Sequence, residues 1–125
     1  EIPRRMFDAL VKHLEKEEIT LLIGPRQAGK TTLLRNLANI LETGQTLLFF
    51  NLDIDADAQH FVSQQRFVER VEALAGGKRV YVFMDEVQRI ENAGLFLKGI
   101  FDRRLPHKWI ATGSGSLELK EKIAE

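Results

Sequence analysis

From Gly24 to Thr32 the chain reads Gly-Pro-Arg-Gln-Ala-Gly-Lys-Thr-Thr, and its G-x-x-x-x-G-K-T spacing suits one task, the binding of a polyphosphate. Glycines let consecutive backbone N–H groups turn into one concavity, and the N-terminus of a following helix adds its positive dipole end to that anion site. On this reading Gly24, Pro25, Arg26, Gln27, Ala28, Gly29, Lys30, Thr31 and Thr32 contact the nucleotide. Lys30 reaches the β- and γ-phosphates, and the Thr31 hydroxyl goes to Mg2+.

A second chemical signal lies further along. Val80-Tyr81-Val82-Phe83-Met84 is an apolar run ending in Asp85-Glu86, and in an open parallel sheet the carboxyl end of a strand is where ligands bind. Mg2+ takes few protein oxygens, so Asp85 is expected to share it with Thr31. Two acids at the start of a helix would also suit its dipole; their pairing with the upstream loop is what favours magnesium–phosphate chemistry. Trp109-Ile110-Ala111-Thr112-Gly113-Ser114-Gly115-Ser116 then runs from a strand into small polar residues, where Ser116 would equally serve as the N-cap of a last helix.

These groups need elements to hold them. Ile19 to Ile23 reads as the strand before the glycine turn, and Leu33, Leu34, Leu37 and Leu41 keep helical spacing after it over Thr31 to Leu41, ahead of a terminating Gly44. Met6, Phe7, Leu10, Val11 and Leu14 form an earlier amphipathic stripe. Thr46 to Leu52 is an apolar strand; Phe67, Val68, Val71 and Leu74 mark a helix closed by Gly76 and Gly77. Ala93 to Arg104 carries helical spacing through Leu95, Phe96, Ile100 and Phe101 and stops before Pro106, and Lys108 to Thr112 is a shorter strand. Apolar strands alternating with helices predict an α/β fold, a parallel sheet flanked by helices in three layers.

The remaining composition sets limits. At 125 residues the chain is one domain at most, and 1–125 reads as the N-terminal part of a core. Eighteen basic and eighteen acidic side chains cancel, so no global field draws it to nucleic acid or an anionic membrane. Cysteine is absent, which excludes disulfides and thiolate metal sites. With no apolar run of membrane-spanning length, the reading is a cytoplasmic protein with no membrane partner. Asp53, Asp55 and Asp57 imitate a calcium loop, but Ala58 and Gln64 stand where that loop needs Gly and Glu.

The wording Gly-Pro-Arg-Gln-Ala-Gly-Lys-Thr-Thr-Leu-Leu, Phe-Met-Asp-Glu-Val-Gln-Arg-Ile and Ala-Thr-Gly-Ser-Gly-Ser resembles a group of prokaryotic AAA-type ATP-binding proteins, with the strand ending in Asp85-Glu86 similar to a Walker B motif. The resemblance implies an additional-strand P-loop NTPase core, ATP and Mg2+ as ligands, and the phosphate-loop strand beside the fourth strand. It implies that Glu86 polarises the attacking water, and that Thr112 or Ser114 occupies the sensor-1 position, the choice between them being open. It further implies a core truncated before a fifth strand and helical lid, with a C-terminal region following Glu125; without that fifth strand, the phosphate-loop strand would be a sheet edge.

Two functions compete on these grounds. One is an Mg2+-dependent ATPase in which Glu86, Lys30 and Thr112 or Ser114 act at the γ-phosphate, coupled to the C-terminal region or a partner. The other is a non-hydrolysing, nucleotide-gated binding module for DNA or protein. A homo-oligomer is compatible with both, and the basic residues Arg103, Arg104, His107 and Lys108 are then either a solvated face or a group directed at a neighbouring subunit's nucleotide.

Overall fold

A computed structural model describes residues 8, 12–23, 30–41 and 44–113. Its strands are β1 (Thr20–Ile23), β2 (Leu47–Asn51), β3 (Tyr81–Asp85) and β4 (Lys108–Gly113), all parallel, in the order β1-β4-β3-β2. Between them run α1 (Lys30–Leu41), the single turn α2 (Asp55–Ala58), α3 (Gln64–Ala75) and α4 (Ala93–Asp102), with 3-10 turns at Gln59–Phe61 and Val87–Arg89. The fourth strand thus lies between the first and the third, as the family likeness implies.

Alternation along the two central strands builds the layers, because successive side chains point to opposite faces. Phe83 and Ile110 face Leu37 of α1, joined by Leu14. Val82, Met84, Trp109 and Ala111 face the other way, onto Phe67 and Val71 of α3 and Phe96, Leu97 and Ile100 of α4. Phe67 is the hub of that side, with ring centroids 4.2 Å from Phe61, 5.3 Å from Phe50 and 6.0 Å from Trp109. A side chain of this size contributes roughly 1.5–3 kcal/mol when fully buried.

Helix α3 begins and ends by recognisable chemistry. The Ser63 hydroxyl oxygen accepts from the Arg66 N–H at 3.1 Å, and Gly76, at φ 61°, closes the helix in the left-handed region that glycine enters without strain.

Two stripe assignments need correction. Leu74 is 41% exposed, because the buried face of α3 is centred on Val71 and Ala75 and Leu74 lies at its margin. Leu95 is 66% exposed; the buried face of α4 runs through Phe96, Leu97 and Ile100, and one residue's step of about 100° turns Leu95 away. Most of the first amphipathic stripe, Met6, Phe7, Leu10 and Val11, and the expected last helix from Leu117 lie outside the described residues. Among the described residues no helix is long and apolar enough to cross a membrane.

The acidic run opening after β2 is structural. Asp57 Oδ2 accepts from the Asn51 N–H at 2.9 Å, and Asp53 pairs with Arg89. Neither α2 nor the 3-10 turn after it is read from the sequence, since single turns carry too few residues to show a period.

Candidate functional site

Parallel strands bring all four carboxyl ends to one edge of the sheet. The register sets Ile23 beside Gly113, Leu22 beside Thr112, Met84 beside Ala111 and Asn51 beside Asp85. The exit of β1 and the tip of β3 are therefore two strand spacings apart, about 10 Å, with the end of β4 between them.

The strand and helix required on either side of the glycine motif are present, β1 ending at Ile23 and α1 beginning at Lys30. Lys30 and Thr31 open the first turn of α1, followed by the exposed Thr32. The nucleotide-binding assignments of Gly24, Pro25, Arg26, Gln27, Ala28 and Gly29 fall outside the described residues, as does that of Ser114.

At the tip of β3, Asp85 and Glu86 are buried, and Thr112 is fully so. The Thr112 hydroxyl donates to Asp85 Oδ1 and accepts from the Glu86 N–H at 3.0 Å. A hydroxyl has one proton to give; here it goes to the carboxylate. Thr112 thus clips the two acids together. Glu86 itself sits at φ 65°, ψ 49°, a left-handed conformation costing a non-glycine residue roughly 1–2 kcal/mol, so the surrounding contacts must enforce it.

Thr112→Val keeps the shape and removes one hydrogen-bonding partner from each acid. The expected loss is roughly 1–3 kcal/mol, from the buried Glu86 N–H that loses its acceptor. Urea unfolding measures it, and Thr112→Ser, which retains the hydroxyl, should recover most of the stability.

Of two neighbours, Gln88 stands in the sequence only as part of the family wording, and Asn51 escapes sequence reasoning. Gln88 Nε2 donates to Glu86 Oε1 at 2.7 Å from the 3-10 turn that follows. Asn51, at the end of β2 and level with Asp85, accepts from the Asp53 N–H through Oδ1 at 2.9 Å. The matching polar wording at Gln88 was a signal, but only the turn geometry reveals its contact.

The basic cluster divides, and it lies around the start of β4, away from the strand tips. Arg103 and Arg104 are exposed, Arg103 donating to Gln65 Oε1 at 3.4 Å and Arg104 lying 5.0 Å over the Phe101 ring. His107 and Lys108, expected on a solvated or subunit-facing surface, are buried. His107 Nδ1 accepts from the Val80 N–H at 3.1 Å, leaving Nε2–H to donate to Glu72 Oε1 at 2.6 Å. The Lys108 ammonium donates to the carbonyls of His13, Lys16 and Glu18, tying the turn before β1 to β4. Burial lowers its pKa to about 8, with the nearby Glu18 pulling the other way. Burial also lowers the pKa of His13, and the Lys108 charge adds to the effect.

Comparison with known proteins adds family evidence. The profile of the AAA domain family matches residues 16–125. An uncharacterized protein of Mycobacterium tuberculosis, Rv2008c, is 32% identical over 111 residues, which is 88% of this chain and 23% of that protein, and the Mycobacterium bovis protein Mb2031c matches equally. The chain therefore spans about a quarter of the length of these curated relatives. The zinc import ATP-binding protein ZnuC of Hydrogenovibrio crunogenus is 40% identical over 65 residues, 45% of this chain and 25% of that one. Among solved structures, C. elegans PCH-2 superposes with a TM-score of 0.66 at 19% identity, over 96% of this chain and 39% of that one, which establishes a shared fold.

Proposed function

The chain belongs to the AAA domain family, and on that premise we propose that it binds ATP with Mg2+ at the carboxyl edge of its sheet and hydrolyses the β–γ bond. The observation that carries the reading is the buried acidic pair, with Asp85 and Glu86 held by Thr112 at the tip of β3, on the same sheet edge as the carboxyl end of β1.

The donor set fits the metal. The Asp85 carboxylate at the tip of β3 and a hydroxyl from Thr31 in the first turn of α1 are hard oxygens, of the kind and number that Mg2+ takes from protein. Asp85 and Thr31 would hold it, and the ion, when bound, offsets the negative charge of the β- and γ-phosphate oxygens. The segment from Gly24 to Gly29 would offer N–H groups to the phosphates, and Lys30 would add a cation. Glu86 orients the attacking water and takes up its proton. Thr112 keeps Asp85 and Glu86 in fixed relation, so no reorganisation is needed as charge develops. The output of turnover goes to a further region of the polypeptide or to a protein or DNA partner.

Calorimetric titration with ATP, with and without Mg2+, and timed phosphate release from the full-length protein test the proposal. Binding tighter than about 1 mM, the top of the usual KM range, together with Mg2+-dependent release, is the expected result. Tight binding without release would instead make the protein a nucleotide-gated module, and no binding would overturn both readings.

A further inference from the structure

The acidic pair is held from two sides, and the second side belongs to a residue with no assigned role. Glu86 leaves β3 in the left-handed region, which turns the chain at once into the 3-10 turn Val87–Arg89. That turn is closed by the Arg89 N–H donating to the Glu86 carbonyl at 3.2 Å and the Ile90 N–H to that of Val87 at 3.0 Å. Val87 is fully buried and Ile90 nearly so, anchoring the turn at both ends in the core. The half-buried Gln88 between them is carried back over Glu86, where its amide Nε2 donates to Oε1 at 2.7 Å. Glu86 is thus held at its backbone N–H by Thr112 and at its side-chain carboxylate by Gln88.

We infer that Gln88 is the positioning residue of Glu86: its amide aims the carboxylate toward the water it activates. A neutral donor is suited to this. It orients one oxygen without placing a full positive charge beside a group that must accept a proton. The inference rests on the hydrolytic reading above and concerns the same site.

The test is a double-mutant cycle in the full-length protein, read by steady-state phosphate release, ATP titration and thermal unfolding. Gln88→Met keeps the volume and removes the donor; Gln88→Asn keeps an amide but withdraws it by one methylene. Both are expected to lower kcat on the order of tenfold to a hundredfold, the scale of a misplaced catalytic group, with KM, ATP affinity and unfolding temperature unchanged. In a Glu86→Gln background the same changes should have no further effect on kcat, because Gln88 acts only through that carboxylate. A residue that merely supports the fold would lower kcat equally in both backgrounds, and that outcome, or an unchanged kcat in the single variants, overturns the inference. If Glu86→Gln is slow while Gln88→Met turns over normally, the inference fails and the hydrolytic reading stands. Should the wild type and Glu86→Gln release phosphate at one rate, both fall together.

Discussion

Replacing Lys30 by Ala is expected to abolish tight nucleotide binding while leaving the fold intact. Lys30 is the first residue of α1, immediately after Gly29 of the glycine motif. Its proposed contacts are charge-assisted hydrogen bonds to phosphate oxygens, each contributing roughly 1.5–3 kcal/mol. Losing two of them weakens ATP binding by about 3–6 kcal/mol, a hundredfold or more in Kd. Alanine is the best helix former, so α1 has no propensity reason to unravel. The check is a calorimetric ATP titration run beside thermal unfolding of the same sample. A Kd within a few-fold of the wild type would remove Lys30, and with it the phosphate-loop assignment.

Glu86→Gln should separate binding from chemistry. The substituted amide has nearly the same shape and can still accept from Gln88 through its oxygen, and the backbone N–H bond to Thr112 is untouched. ATP affinity is therefore expected to persist. What disappears is the ability to take a proton from water, a general-base contribution of about 10²–10⁴ in rate. Single-turnover phosphate release after mixing with ATP measures this directly, and nucleotide retained on the protein should accumulate as ATP. An unchanged rate would take Glu86 out of its role and favour a different base.

Much of this arrangement is legible in the amino-acid order. All four strands fall within a residue or so of the expected spans, because each is a short apolar run bounded by polar or turn residues. Helix faces were harder to read. In α4 the adjacent Leu95, Phe96 and Leu97 are all apolar, so spacing alone allows two neighbouring stripes, and only burial in the core beside Phe61 and Phe67 selects the one through Phe96 and Leu97. The basic residues after α4 illustrate the converse error. His107 and Lys108 are charged or titratable and so read as surface, yet partners 27 to 95 residues away in the chain satisfy them in the interior.

By itself, the order of residues pointed to nucleotide binding, and it determined the α/β alternation and the carboxylates at the end of an apolar strand, because these depend on residue type at short spacing. The family likeness already implied β4 beside β1, and only the tertiary structure decided that Thr112 meets Asp85 and Glu86. It also decided that Glu86 turns left-handed and brings Gln88 back onto its carboxylate. The reason is the range of the interactions. A hydrogen bond spanning 26 residues exists only once the sheet has set its register, and a turn held by buried Val87 and Ile90 exists only once there is a core to bury them.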